Sequence, residues 1–229
     1  MSLERLREEV LEANLEIVRR GLVLYTFGNV SGIDRERGLV VIKPSGVPYE
    51  RMTARDLVVV SLNGAQVEGE LRPSSDLATH LVLYRSFAAI GGVVHTHSRY
   101  ATAWAQARRE IPCVGTTHAD YFHGDVPVTD PMTDEEIAAG YEHNTGLVIV
   151  RRFEGLNPAA IPAVLVANHG PFAWGKSAAD AAHNAVVLEE IAHVTAQSLA
   201  LGGPFPISQA LHDKHFLRKH GPSAYYGQK

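Results

Sequence analysis

Leu3, Leu6, Val10, Ala13 and Ile17 recur at helical spacing, and Glu4, Arg5, Glu8, Glu9 and Glu12 fill the positions between them. The pattern predicts an amphipathic helix that opens the chain and stops near Gly21. Short apolar runs follow at residues 22–25, 39–42 and 57–62, each bounded by glycine, proline or the Asn63-Gly64 pair, and they predict strands of one sheet. The segments 28–32 and 43–46 read as polar turns after such strands. Ser74 or Ser75 can cap a helix through Leu77, Leu81, Val82 and Tyr84. Two similar apolar runs, 90–94 and 163–167, predict strands that lead directly into His95-Thr96-His97 and into His169-Gly170. Between and after them the spacing predicts a helix over 100–108 and another opened by a capping box at Thr133 and Glu136 that loses definition at Gly146. A long helix is predicted from Ser177 to about Leu201. Glycine and proline punctuate short connections throughout, so the expected architecture is a single α/β domain over residues 1–229.

Composition narrows this picture. The 229 residues are 45% hydrophobic, enough for a substantial core. A net charge of −4, with lysine and arginine scattered, argues against a nucleic-acid partner. Cys113 is the sole cysteine, which excludes an intrachain disulfide and a thiolate zinc finger and suits a reducing compartment. The first residues hold no apolar leader, and no later run approaches the roughly 18 residues of a membrane span. A soluble cytoplasmic protein without membrane association is expected.

The two histidine motifs are the leading chemical signal. Residues two apart on a strand share a face, so His95 and His97 can point together, and a third imidazole from His169 can reach the same sheet edge. Three neutral imidazoles with one open position hold a divalent cation that polarises a carbonyl or acidifies water. An isolated H-x-H among 12 histidines is weak evidence, since each ring can equally be structural or surface-exposed. Ser74-Ser75-Asp76 stands where helix N–H groups favour a phosphate, yet the same residues also make an ordinary N-cap with an acidic first turn. Asp76 could face the metal as a fourth ligand or act as a base. The 28–32 and 43–46 turns offer amide, hydroxyl and one ammonium donor but match no nucleotide-phosphate loop. Thr116, Thr117, His118, Asp120 and Tyr121 bunch acids and bases without a clear period. The ending, with His215, His220, Tyr225 and Tyr226, reads as a docking segment that in an oligomer can also serve a site. His80, His183 and His193 fall inside predicted helices and read as structural or exposed, and Cys113 as inert packing.

Taken in order, Gly28-Asn29-Val30-Ser31, Lys43-Pro44-Ser45-Gly46, Pro73-Ser74-Ser75-Asp76, His95-Thr96-His97-Ser98 and Asn168-His169-Gly170 resemble the class II aldolase and epimerase superfamily. Within it, the segments 115–122, 169–175 and 224–228 resemble the L-ribulose-5-phosphate 4-epimerase family. The resemblance runs from the first helix to the last residues. It implies a three-layer αβα sandwich with a central, largely antiparallel sheet, assembled as a homotetramer with active sites between subunits. It implies a zinc-type divalent cation, with manganese or cobalt as alternatives, on His95, His97 and His169, with Asp76 in or beside that set. It implies that Asn29, Lys43, Ser45, Gly46, Ser74 and Ser75 surround the phosphate of a small pentulose phosphate. Asp120 and Tyr226 match the family's acid/base pair, and Thr116, Glu142 and His215 match positions that help around the site.

The implied reaction inverts carbon 4 of L-ribulose 5-phosphate by retro-aldol cleavage, rotation of the aldehyde and re-addition, most naturally in L-arabinose use. A class II aldolase acting on a deoxyketose 1-phosphate such as L-fuculose 1-phosphate is the nearest alternative. Relatives of that type usually carry Glu where this chain has Asp76. A non-catalytic scaffold like the adducin head is the second, and the intact histidine set argues against it.

Overall fold

The computed structural model describes residues 2–203, 205–220, 222 and 224–226. The opening helix α1 spans Leu3–Arg19, capped by the Ser2 hydroxyl accepting from the Arg5 amide, and it buries Leu6, Val10, Ala13, Asn14 and Ile17 as the periodicity predicts. Residues 22–25 are not a strand. The chain turns there, with Leu22 buried and Tyr25 exposed in the left-handed region, and the first strand, β1, is Asn29–Asp34. A stretch read as a polar turn is therefore a strand buried at every position. Most of its polar groups are paired: the Asn14 side chain accepts from the Val30 amide and donates to the Val30 carbonyl, and the Ser31 hydroxyl meets His80 and Tyr84.

β2 (Leu39–Ile42), β3 (Val58–Ser61) and a short β4 (Gln66–Glu68) extend the sheet on one side of β1. β5 (Gly92–His95), β6 (Ala163–Leu165) and β7 (Pro171–Gly175) extend it on the other. The order is β4-β3-β2-β1-β5-β7-β6, seven strands with every pairing antiparallel. This is the mixed α/β architecture with an antiparallel sheet that the resemblance implied.

Helices cover both faces. α1 and the long α6 (Ala178–Ala200) pack together against β1, β5 and β7, while Ser31, pointing the other way, meets α2 (Leu77–Ser86). Asp76 occupies the N-cap position of α2, one residue beyond the serines predicted to fill it, and the Ser74 carbonyl accepts from the Leu77 amide. α3 (Arg99–Gln106) and the single turn α4 (Thr116–Ala119) follow β5. α5 (Asp134–Arg152) opens on the expected Thr133 and Glu136 capping box but continues past Gly146 to Arg152. Gly146 lies where α5 crosses α2, and a Cβ there would come within 2.6 Å of the Val82 Cβ, so the glycine serves close packing rather than helix termination. The ending read as a docking segment contains one more helix, α7 (Gln209–His220), which packs on α4.

Candidate metal centre and sugar-phosphate pocket

His95 is the last residue of β5, flanked in the ladder by Asn29 of β1 and Phe172 of β7. His97 lies two residues on, ahead of α3, and His169 sits in the tight β6–β7 turn that follows Asn168, a residue in the left-handed region. One ligand atom from each of the three rings lies within 4.8 Å of the others, and the Nε2 atoms of His95 and His97 approach to 3.1 Å. The His95 ring stacks on Phe172 at 4.2 Å, and its Nδ1–H donates to the Pro171 carbonyl at 3.0 Å. That hydrogen bond leaves the Nε2 lone pair directed at the cluster.

Burial lowers the pKa of all three imidazoles, that of His169 to about 4. Neutral, converging imidazoles are the donor set a zinc-type cation takes. Asp76 lies outside this three-ring set but on the same cavity wall, where the Asn29 amide donates to its Oδ2 at 2.6 Å and to the Ser74 hydroxyl at 3.0 Å. Burial pushes the Asp76 carboxyl up, but the His95 and His80 imidazoles and the Asn29 contact outweigh it and hold the group below its ordinary value.

The cavity, about 400 Å³, is lined by all three histidines together with Asn29, Lys43, Ser45, Gly46, Ser74, Ser75, Asp76 and Glu142. Its two turns are zipped to each other: the Ser45 amide donates to the Arg72 carbonyl and the Ser74 amide to the Lys43 carbonyl, both at 2.9 Å. Lys43 is 2% exposed, lies over the Tyr49 ring at 4.7 Å, and has no carboxylate partner among the described residues. Burial pushes its pKa down to about 8. A buried ammonium that donates to the Pro44 carbonyl but has no carboxylate partner among the described residues, beside small hydroxyl- and amide-bearing residues, suits an anion such as a phosphate. The Asn29 Oδ1 atom is buried without a partner, an acceptor available to a ligand hydroxyl.

Thr116, Asp120, His215 and Tyr226 do not line that cavity. Asp120, His215 and Tyr226 gather instead where α7 wraps the end of α4, whose first residue is Thr116. Arg218 grips both Asp120 oxygens, Nε to Oδ1 at 3.0 Å and Nη2 to Oδ2 at 2.7 Å, with His215 Nδ1 at 3.0 Å and Lys219 Nζ at 3.5 Å. Burial alone would raise the Asp120 carboxyl, but Arg218, His215 and Lys219 prevail and lower it. Tyr226 is 61% exposed, its ring against the Arg218 guanidinium at 4.9 Å and the Lys219 ammonium at 4.5 Å. Asp120 and Tyr226 thus share two cations. Gly227 and Gln228 of the ending motif lie outside the described residues.

Arg218, Lys219, Phe27 and Tyr141 escaped the sequence reading. The two cations fall in the last turn of a helix, where basic residues ordinarily complement the dipole. Phe27, which lines the cavity 6.2 Å from the His97 ring, follows a run mistaken for a strand. Tyr141 also lines the cavity, and its hydroxyl lies 3.1 Å from His169 Nδ1, but nothing in helical spacing separates it from a solvated residue.

Residues 8–196 match the family described as Class II Aldolase and Adducin N-terminal domain. Two proteins named L-ribulose-5-phosphate 4-epimerase UlaF, from Salmonella paratyphi A (strain ATCC 9150 / SARB42) and Salmonella typhi, are each 56% identical over 228 residues, covering 99% of this chain and 100% of theirs. Among solved structures, an L-fuculose 1-phosphate aldolase superposes with a TM-score of 0.79 at 28% identity, over 94% of this chain and 96% of that one.

Proposed function

The chain belongs to the class II aldolase and adducin N-terminal domain family, and from that membership we propose that it converts L-ribulose 5-phosphate to D-xylulose 5-phosphate by metal-dependent inversion of carbon 4. The observation that carries the reading is one cavity holding three neutral imidazoles beside a buried ammonium and two hydroxyl-bearing turns. The 56% identity to the two UlaF epimerases favours epimerisation over cleavage of a deoxyketose 1-phosphate.

His95, His97 and His169 would hold the cation, with Asp76 beside them. Zinc suits this donor set, and manganese or cobalt are the alternatives. The bound cation supplies Lewis-acid stabilisation of the negative charge that carbon–carbon cleavage leaves on the ketone fragment. The hydrogen on carbon 4 is not acidic, so inversion there proceeds through the bond between carbons 3 and 4. A base removes the proton of the carbon 4 hydroxyl, and that oxygen becomes the aldehyde oxygen of glycolaldehyde phosphate. The bonding pair stays with the other fragment, the enediolate of dihydroxyacetone.

Asn29, Lys43, Ser45, Gly46, Ser74 and Ser75 hold the phosphate, so the aldehyde can rotate and present its opposite face. The bond re-forms and an acid returns a proton to the carbon 4 oxygen, with no net oxidation. Asp120 and Tyr226 serve as the acid/base pair on the two sides of that carbonyl, with Thr116, Glu142 and His215 around them. Since Asp120 and Tyr226 do not line the cavity of their own chain, a neighbouring copy is the source that completes it. A cytoplasmic homotetramer with sites between subunits is the assembly this reading expects.

Metal-loaded protein given L-ribulose 5-phosphate should produce D-xylulose 5-phosphate. Free aldehyde accumulating without that product would replace the epimerase by an aldolase. Protein that neither binds a divalent cation nor turns the sugar over would favour a scaffold of the adducin-head kind.

A further inference from the structure

α5 is broken at Gly140, whose backbone angles of φ 146° and ψ 92° belong to a region essentially restricted to glycine. The break is built into the surroundings. Side chains brace the backbone around it: Asn144 Nδ2 donates to the Glu136 carbonyl at 2.6 Å, the Thr145 hydroxyl to the Tyr141 carbonyl at 2.8 Å, and the Thr79 hydroxyl of α2 to the Glu142 carbonyl at 2.5 Å. Immediately after it, Tyr141 and Glu142 both line the cavity of the histidine cluster.

We propose that Tyr141 is a positioning residue of the metal centre: presented by the Gly140 break, its hydroxyl fixes the ring of His169 through Nδ1 and so leaves Nε2 as that ring's donor to the cation. The assignment rests on the metal reading above. The hydroxyl lies 3.1 Å from Nδ1, and the two rings pack at 5.8 Å between centroids. His169 needs such a partner because it projects from a turn, whereas His95 is held at a strand end by the Pro171 carbonyl and the Phe172 ring. The phenol oxygen can accept from the Nδ1–H tautomer of the ring. A second hydrogen-bonding residue that orients a ligating histidine typically accounts for about 10- to 100-fold in metal affinity.

Titrating Co2+ into metal-free wild type, His97→Asn and Tyr141→Phe, each checked for an unchanged fold by circular dichroism, tests the assignment. The expected result is binding in wild type, severe loss in His97→Asn, and about 10- to 100-fold weaker binding in Tyr141→Phe. At saturating metal the kcat of Tyr141→Phe should return toward wild type. Wild-type cobalt affinity in Tyr141→Phe would overturn the assignment while leaving the metal centre intact, and so would a raised KM for the sugar phosphate with unchanged affinity, which would make Tyr141 a substrate contact. Wild-type protein that binds no cobalt would overturn the metal reading itself.

Discussion

Arg218 grips Asp120 through both carboxylate oxygens, and this one side chain does most to counter the upward pull of burial on the acid. If Asp120 exchanges protons with substrate, removing the guanidinium in Arg218→Met should raise its pKa and move the acid limb of kcat/KM to higher pH. A limb that stays in place in that variant would separate Asp120 from the reaction. Lys43 gives the opposite limb. Its pKa of about 8 means the free protein loses the buried positive charge as pH rises through that value. KM for the sugar phosphate should therefore climb above pH 8, and in Lys43→Met it should be high and nearly independent of pH there. His95 and His97 are legible in the sequence because a strand-spaced pair after an apolar run is a local signal. Arg218 and Tyr141 are not, because their roles depend on residues nearly a hundred and nearly thirty positions away.

Elements with a simple period are readable from spacing alone, as α1 and α6 are from their apolar stripes. β1 is not, because Asn29, Ser31 and Asp34 are polar residues buried in a strand, each useful only through partners on α2, in the following turn at Arg37 or on the cavity wall. The run at 22–25 shows the converse, apolar side chains on a turn that Leu22 and Val23 anchor while Leu24 and Tyr25 are exposed. Gly146 reads from sequence as a helix end, whereas in space it lets α5 pack closely on Val82 of α2. Gly146→Val should force the two helices apart and cost about 1–3 kcal/mol, measurable as a lower urea midpoint with far-UV circular dichroism retained. A variant as stable as wild type would show that this crossing can relax. Since α5 also carries Tyr141 and Glu142, such a shift reaches the cavity as well as the core.

For the whole molecule, the single apolar core running from Leu6 to Ala192 accommodates histidines that stay neutral. Burial depresses His80 to about 3 and His118 to about 4. In the unfolded chain both would titrate near about 6.5. Below that pH the unfolded state takes up protons that the fold refuses, so the stability these groups contribute is complete above it and is lost as pH falls toward 4. The loss approaches about 1.36 kcal/mol per pH unit for each group. Urea midpoints measured from pH 7.5 to 5 should fall accordingly, and a flat profile would mean that both rings take up protons in the native protein as readily as in the unfolded chain. The layered antiparallel architecture follows from the family motifs, whereas the distance between the histidine cavity and the Asp120 and Tyr226 cluster does not, because it emerges only when α7 is placed on α4. If a neighbouring copy completes the cavity, as proposed above, two damaged copies should repair each other. His97→Asn lacks only what the cavity contributes, and Tyr226→Phe only what the tail contributes. Mixed in equal amounts after subunit exchange, the two inactive variants should recover roughly a quarter of wild-type activity, the fraction of boundaries at which an intact half meets an intact half.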